Sequence, residues 1–191
     1  MPSISPPPTD DELRALLSGA LPEAEALALL ARLHPDAVDA ATLARLLAAM
    51  QALAEPLPDL PEDLPLLDCC GTGGSGRPHF NGSTAAAFVL AAGGVAVAKF
   101  GNRGASSPSG SFDFLGLLGV PAHRAPLSHV PEALAETGLA FLFAPQAYPA
   151  LAPLAALRKR HGQPTAFNYL GPLLNPVRPA YRALGVSHPG M

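Results

Sequence analysis

Leu66-Leu67-Asp68-Cys69-Cys70-Gly71-Thr72-Gly73-Gly74 decides how this chain is read. Four apolar residues around one acid run straight into a glycine turn, the pattern of a short buried strand leaving a sheet. A polar stretch follows, then an Ala-rich helix from about Ser83 to Ala92, ended by Gly93-Gly94. Val95-Ala96-Val97-Ala98-Lys99 is a second buried-type strand. Its exit, Gly101 to Ser111, is another Gly/Ser loop. Phe112–Leu118 predicts a short helix stopped by Gly119 and Pro121. Further on, Glu132–Thr137 reads as helix, Leu139–Phe143 as a third strand and Leu151–His161 as an amphipathic helix. Thr165–Asn168 reads as strand or extended chain, and Arg182–Ser187 as the start of another strand. Strands alternating with helices mean a parallel sheet with helices on its faces.

Before this unit the texture is different. Leucines recur with helical spacing in three stripes: Leu13, Leu16 and Leu17; Leu27, Leu29, Leu30 and Leu33; Leu43, Leu46, Leu47, Met50 and Leu53. Thr9 or Asp10 can cap the first helix, and Gly19, Pro22 and His34-Pro35-Asp36 separate the three. The expected organisation is a disordered tail over 1–8, a helical domain over 9–55, a Pro-rich linker over 56–65 and an α/β domain over 66–191.

Composition excludes several classes. Of the 191 residues 49% are hydrophobic and 14% charged, so wholesale disorder is excluded. The net charge is −3, and Lys99 and Lys159 are the only lysines, so no basic nucleic-acid face is written here. Cys69 and Cys70 are adjacent, with no C-x-x-C pair, which argues against a zinc site and a disulfide framework. The longest apolar run, Ala85–Ala98, is too short to span a bilayer. A soluble, cytoplasmic protein is expected.

The chemistry is expected where two Gly-rich loops leave consecutive parallel strands, because ligands of open α/β sheets bind at the carboxyl edge. Gly71-Thr72-Gly73-Gly74 offers backbone N–H groups as an anion nest. Asn81-Gly82-Ser83-Thr84 opens the next helix, whose free N–H groups favour a phosphate. The second loop adds Lys99, Asn102, Arg103, Ser106, Ser107, Ser109 and Ser111. Each piece alone has an ordinary alternative as a turn, a helix cap or a solvated loop. Their conjunction at one sheet edge points to a polyphosphate or phosphosugar.

Together with Val97-Ala98-Lys99-Phe100-Gly101-Asn102-Arg103, Phe141-Leu142-Phe143-Ala144-Pro145 and Phe167-Asn168-x-Leu170-Gly171-Pro172-Leu173-x-Asn175-Pro176, these motifs resemble the anthranilate phosphoribosyltransferase family from about Leu13 to Ser187. The resemblance implies a small N-terminal helical domain plus a parallel-sheet α/β phosphoribosyltransferase domain, incomplete at its C-terminus. It implies transfer of phosphoribosyl from phosphoribosyl pyrophosphate to anthranilate with Mg²⁺, a step of tryptophan biosynthesis. By the same resemblance Gly71, Gly74, Ser75, His79, Asn81, Ser83, Thr84, Lys99, Asn102, Arg103, Ser106, Ser107 and Ser111 would hold the phosphoribosyl donor. Ser83 would also meet the metal. Gly71, Asn102 and Arg158 would contact anthranilate, and Lys99, Asn102 and Arg158 would be the catalytic set. The resemblance further implies that 148–176 packs back toward the helical domain, which would form a homodimer.

Four departures accompany the resemblance. Ser75 follows Gly74 where the family has Asp, Phe100 follows Lys99 where it has His, and Tyr148 precedes Pro149 where it has His. The chain also stops at Met191, before the family's acidic Asp-Glu pair, as expected of a fragment or a shortened paralogue. Two other readings therefore accompany the enzyme: a non-catalytic phosphosugar- or nucleic-acid-binding paralogue, and a pyrimidine nucleoside phosphorylase-like enzyme.

Overall fold

Three amphipathic helices come first: α1 (Asp10–Leu17), α2 (Glu23–Arg32) and α3 (Ala40–Gln51). The computed structural model describes residues 6–61, 63–73, 80–104 and 109–186. Thr9 caps α1: its hydroxyl accepts from the Glu12 N–H, and the Glu12 carboxylate accepts from the Thr9 N–H at 2.7 Å. Asp39 caps α3. Buried leucines pack the three helices together: Leu13, Leu16 and Leu17 from α1, Leu29 and Leu30 from α2, Leu46 from α3. Leu33 is buried just beyond α2, while Leu53 falls in the turn after α3. The preceding Pro6 and Pro8 are tied down, their carbonyls accepting from Arg32 and Arg45.

The α/β part continues with β1 (Leu67–Gly71), α4 (Gly82–Ala92), β2 (Val97–Gly101), α5 (Ser111–Leu117), α6 (Val130–Thr137), β3 (Leu139–Phe143), α7 (Ala144–Ala147), α8 (Ala152–His161), α9 (Phe167–Leu170) and β4 (Tyr181–Gly185). All strand pairs are parallel, in the order β3-β2-β1-β4. The chain thus runs outward from β1 through β2 to β3, then crosses back to the other side of β1. That reversal puts a topological switch point beside the carboxyl end of β1, the position such sheets use for ligands. Register brings Gly71 opposite Gly185 and Gly101 opposite Phe143, so the loops leave from one edge.

The structure corrects some expected boundaries. Strand β2 starts at Val97 rather than Val95, and β4 starts at Tyr181 rather than Arg182. Helix α6 begins two residues early, at Val130. Thr165–Asn168 is not a strand: the Asn168 side chain accepts from the Thr165 N–H at 3.0 Å, and the chain turns into α9. A local side-chain acceptor competes with the ladder for that backbone.

One apolar core joins the helices to the sheet. Leu30 and Leu46 belong to the same buried cluster as Ala98, Leu142, Leu154 and Phe167. Backbone bonds stitch the same boundary, from the Glu55 N–H to the Ala147 carbonyl and from the Ala166 N–H to the Leu33 carbonyl. Strand β4 is exposed along its whole length, including Tyr181 and Leu184.

Candidate functional site

The Lys99 side chain leaves β2 into the interior and is 2% exposed. Its Nζ donates to the Cys69 carbonyl at 2.5 Å and to Ser83 Oγ at 3.2 Å. It makes no ion pair among the described residues. A buried ammonium with no carboxylate at ion-pair distance among the described residues keeps part of its desolvation cost, which an arriving anion would offset. Ser83 itself lies in the first turn of α4, where helix N–H groups add to the positive field. Next to it Thr84 is 1% exposed, and its hydroxyl has no partner among the described residues. Such an orphan is rare and favours a ligand acceptor.

Asn81 occupies the N-cap position of α4, but its side chain does not cap the helix. Its Nδ2 instead donates across to Ser109 Oγ at 3.0 Å, joining the two Gly-rich loops. Within the second loop Asp113 Oδ2 accepts from the N–H groups of Gly104 (2.8 Å) and Gly110 (2.9 Å). The Gly104 N–H first, then that of Gly110, holds the Asp113 carboxyl below its ordinary range. Ser111 Oγ donates to the Asn102 carbonyl, so this hydroxyl is engaged in closing the loop. Arg103 is exposed, and its N–H donates to Asn102 Oδ1 at 2.8 Å. Gly74, Ser75, His79, Ser106 and Ser107 lie outside the described residues.

Asp68, the one acid of β1, is fully buried. Its Oδ1 accepts from the Phe100 N–H at 3.3 Å and its Oδ2 from Asn175 Nδ2 at 2.9 Å. Burial pushes its pKa up, against the opposing Asn175 hydrogen bond and the Lys99 charge. Asn175 also donates to the Ala98 carbonyl at 2.8 Å, so one amide pins the Gly171–Asn175 segment onto β1 and β2.

Beside this edge lies a cavity of about 510 Å³. Gly71, Asn102 and Arg158 line it together, although Gly71 and Arg158 stand 87 positions apart in the chain. Arg158 donates to Asn168 Oδ1 at 3.1 Å and its guanidinium lies 5.3 Å from the Phe167 ring centre. Burial lowers its pKa, and it makes no ion pair among the described residues. Phe100, Tyr148, Leu154 and Leu174 supply apolar lining, and Met50 reaches the cavity from α3. A guanidinium with no carboxylate partner among the described residues, in a mostly apolar pocket, fits a flat organic acid. Cys70 also lines the cavity, but burial pushes its thiol up to about 12, so it is no nucleophile.

The structure therefore draws Asn81, Ser83, Thr84 and Lys99 into one polar corner, and Gly71, Asn102 and Arg158 into the adjoining cavity. Asn168 and Asn175 had no assigned role in the sequence reading, while Ser109 was placed in the second loop without its partner Asn81. Asn175 bonds Asp68 across 107 positions, which no local pattern marks, whereas Asn168 joins Thr165 and Arg158 close by in the chain. No group of three His, Cys, Asp or Glu among the described residues could hold a metal ion. Ser83 Oγ is a single oxygen that already accepts from Lys99. These residues alone do not fit a resident Mg²⁺, which needs several carboxylate, phosphate or water oxygens.

Residues 63–191 match the family model described as "Glycosyl transferase family, a/b domain". The anthranilate phosphoribosyltransferase of Synechococcus elongatus is 49% identical over 92% of this chain and 50% of its own length. The crystal structure of the Thermus thermophilus anthranilate phosphoribosyltransferase superposes with a TM-score of 0.84 at 44% identity, over 96% of this chain and 56% of that one. The Saccharomyces cerevisiae anthranilate phosphoribosyltransferase in complex with PRPP and Mg gives a TM-score of 0.77 at 29% identity, covering 93% and 52%. The chain spans about half the length of these relatives.

Proposed function

This chain belongs to the glycosyl transferase family with an a/b domain, and we propose on that premise that it carries the donor and acceptor subsites of an anthranilate phosphoribosyltransferase. The observation that carries the reading is Lys99, a buried ammonium without an ion pair among the described residues, beside Ser83 and a Thr84 hydroxyl with no partner among them. In this reading the diphosphate of phosphoribosyl pyrophosphate takes that corner. The α4 N-terminus, Ser83, Thr84 and Lys99 stabilise its charge as the bond to ribose C1 lengthens. Gly74, Ser75, His79, Asn81, Asn102, Arg103, Ser106, Ser107 and Ser111 complete the donor contacts. Ser83 Oγ is the protein oxygen that would meet a Mg²⁺ bound with the diphosphate, which would supply positive charge against the leaving group.

Arg158 pairs the anthranilate carboxylate, while Asn102 and the Gly71 backbone position the ring and its amine toward C1. The amine nitrogen bonds to C1, the C1–oxygen bond to diphosphate breaks, and the surplus proton on nitrogen passes to solvent. The amine is an aniline, neutral at pH 7, so no side chain has to deprotonate it first. This gives the product of a tryptophan-biosynthesis step.

A homodimer through the helical domain is part of the proposal, supported by the half-buried faces of Leu27, Leu43 and Leu47. So is a cytoplasmic setting; no helix among the described residues is long and apolar enough to cross a membrane. The test is loss of anthranilate fluorescence with this chain, phosphoribosyl pyrophosphate and Mg²⁺. Turnover that disappears in Lys99→Ala is expected. Phosphoribosyl pyrophosphate binding without turnover would favour the non-catalytic paralogue, and phosphorolysis of a pyrimidine nucleoside would favour the phosphorylase.

A further inference from the structure

Two of the residues that depart from the family pattern touch each other. The rings of Phe100 and Tyr148 meet edge to face, 6.0 Å apart between centres and 80° between planes. Both line the Arg158 cavity and both are buried, at 6% and 4% exposure. The Tyr148 hydroxyl donates to the Leu174 carbonyl at 2.7 Å, so its polar end is already satisfied. Its ring is therefore the part of Tyr148 available to a ligand. The Phe100 backbone is held by Asp68 and the Tyr148 hydroxyl by Leu174, which fixes the pair from two sides. Apart from Tyr148, the polar side chains of the described lining are Thr72, Asn102, Arg158 and Asn168; Asn168 and Arg158 are bonded to one another, and Asn168 Oδ1 also accepts from Thr165. A cavity of about 150 Å³ suffices to hold benzene. One of about 510 Å³ leaves room for a substituted ring as well as for the sugar end of a donor.

We infer that the Phe100–Tyr148 pair is a carbon wall that sets acceptor specificity, selecting aminobenzoates with apolar ring substituents over those with ring hydroxyls. The inference rests on the acceptor reading of the Arg158 cavity and goes beyond it by naming the preferred substituents. A methyl group against this wall gains burial. A ring hydroxyl against these two rings meets carbon and loses its water. One such group is worth roughly tenfold or more in discrimination.

The experiment titrates the 191-residue chain with anthranilate and its methyl- and hydroxy-substituted isomers, reading ligand fluorescence. The best methyl isomer should bind about threefold or more tighter than anthranilate, and every hydroxy isomer about threefold or more weaker. Phe100→His should shrink that methyl-to-hydroxy ratio at least about fivefold, and Phe100→Leu should preserve it. Arg158→Gln should weaken all the acids alike. Hydroxy isomers that match the methyl isomers in the parent chain would overturn the inference, as would a ratio unmoved in folded Phe100→His. If no aminobenzoate shows Arg158-dependent binding, the acceptor reading falls and the inference with it. Should Phe100→His fail to fold, the parent series and Phe100→Leu still decide.

Discussion

At Gly110 one methyl group would decide the second loop. A Cβ there would run into the backbone of Asn102, Arg103 and Gly104, well inside van der Waals contact, and backbone cannot swing away as a side-chain end can. Gly110→Ala should therefore open the loop that Asp113 gathers. Binding of phosphoribosyl pyrophosphate should weaken about tenfold or more, a loss of about 1.4 kcal/mol. The helical part should be unchanged, as far-ultraviolet circular dichroism would check. An unchanged affinity would remove this loop from the donor site. Asp68 illustrates the opposite case, a residue whose role sequence could not supply. It stands in an apolar strand, and its partner Asn175 becomes visible only once the chain has folded back across the sheet.

On the scale of elements, the helices and strands were largely legible because their periods are clear. Leu13, Leu16 and Leu17 are buried as their spacing requires, and Leu139–Phe143 is a strand. Thr165–Asn168 was misread because a β-compatible composition said nothing about the Asn168 acceptor. The tie between α1 and α2 also needed the structure. Glu12 accepts from Arg32 at 2.5 Å while closing the cap with Thr9. The Arg32 hydrogen bond first, then the Thr9 N–H, pulls the Glu12 pKa down to about 2. A carboxylate lowered by folding adds stability above its ordinary value of 4.5 and loses it as pH falls through about 2. Because Glu12 is partly open to solvent, which screens the pair, Glu12→Gln should cost under about 1 kcal/mol at pH 7. The difference from the parent should shrink steadily as acid is added toward pH 2, followed by thermal melts. A gap that widens with acid would contradict this ion pair.

Across the whole molecule, the helices and the sheet share one core, so the cavity takes Met50 from α3 and Arg158 from α8 at once. The two loops were foreseeable as a ligand edge because glycine-rich exits from parallel strands carry that meaning wherever they occur. The aromatic contact between Phe100 and Tyr148 was not, since 48 positions separate them (148 minus 100) and only the return of the chain past β3 joins them. The central claim is that the Lys99 corner takes a diphosphate. Calorimetric titration of this chain with phosphoribosyl pyrophosphate, with and without Mg²⁺, tests it most directly. Saturable, Mg²⁺-dependent binding, weakened about tenfold or more by Lys99→Met, is the expected result. A folded chain that binds no phosphoribosyl pyrophosphate, or binds it equally well after Lys99→Met, would contradict the account.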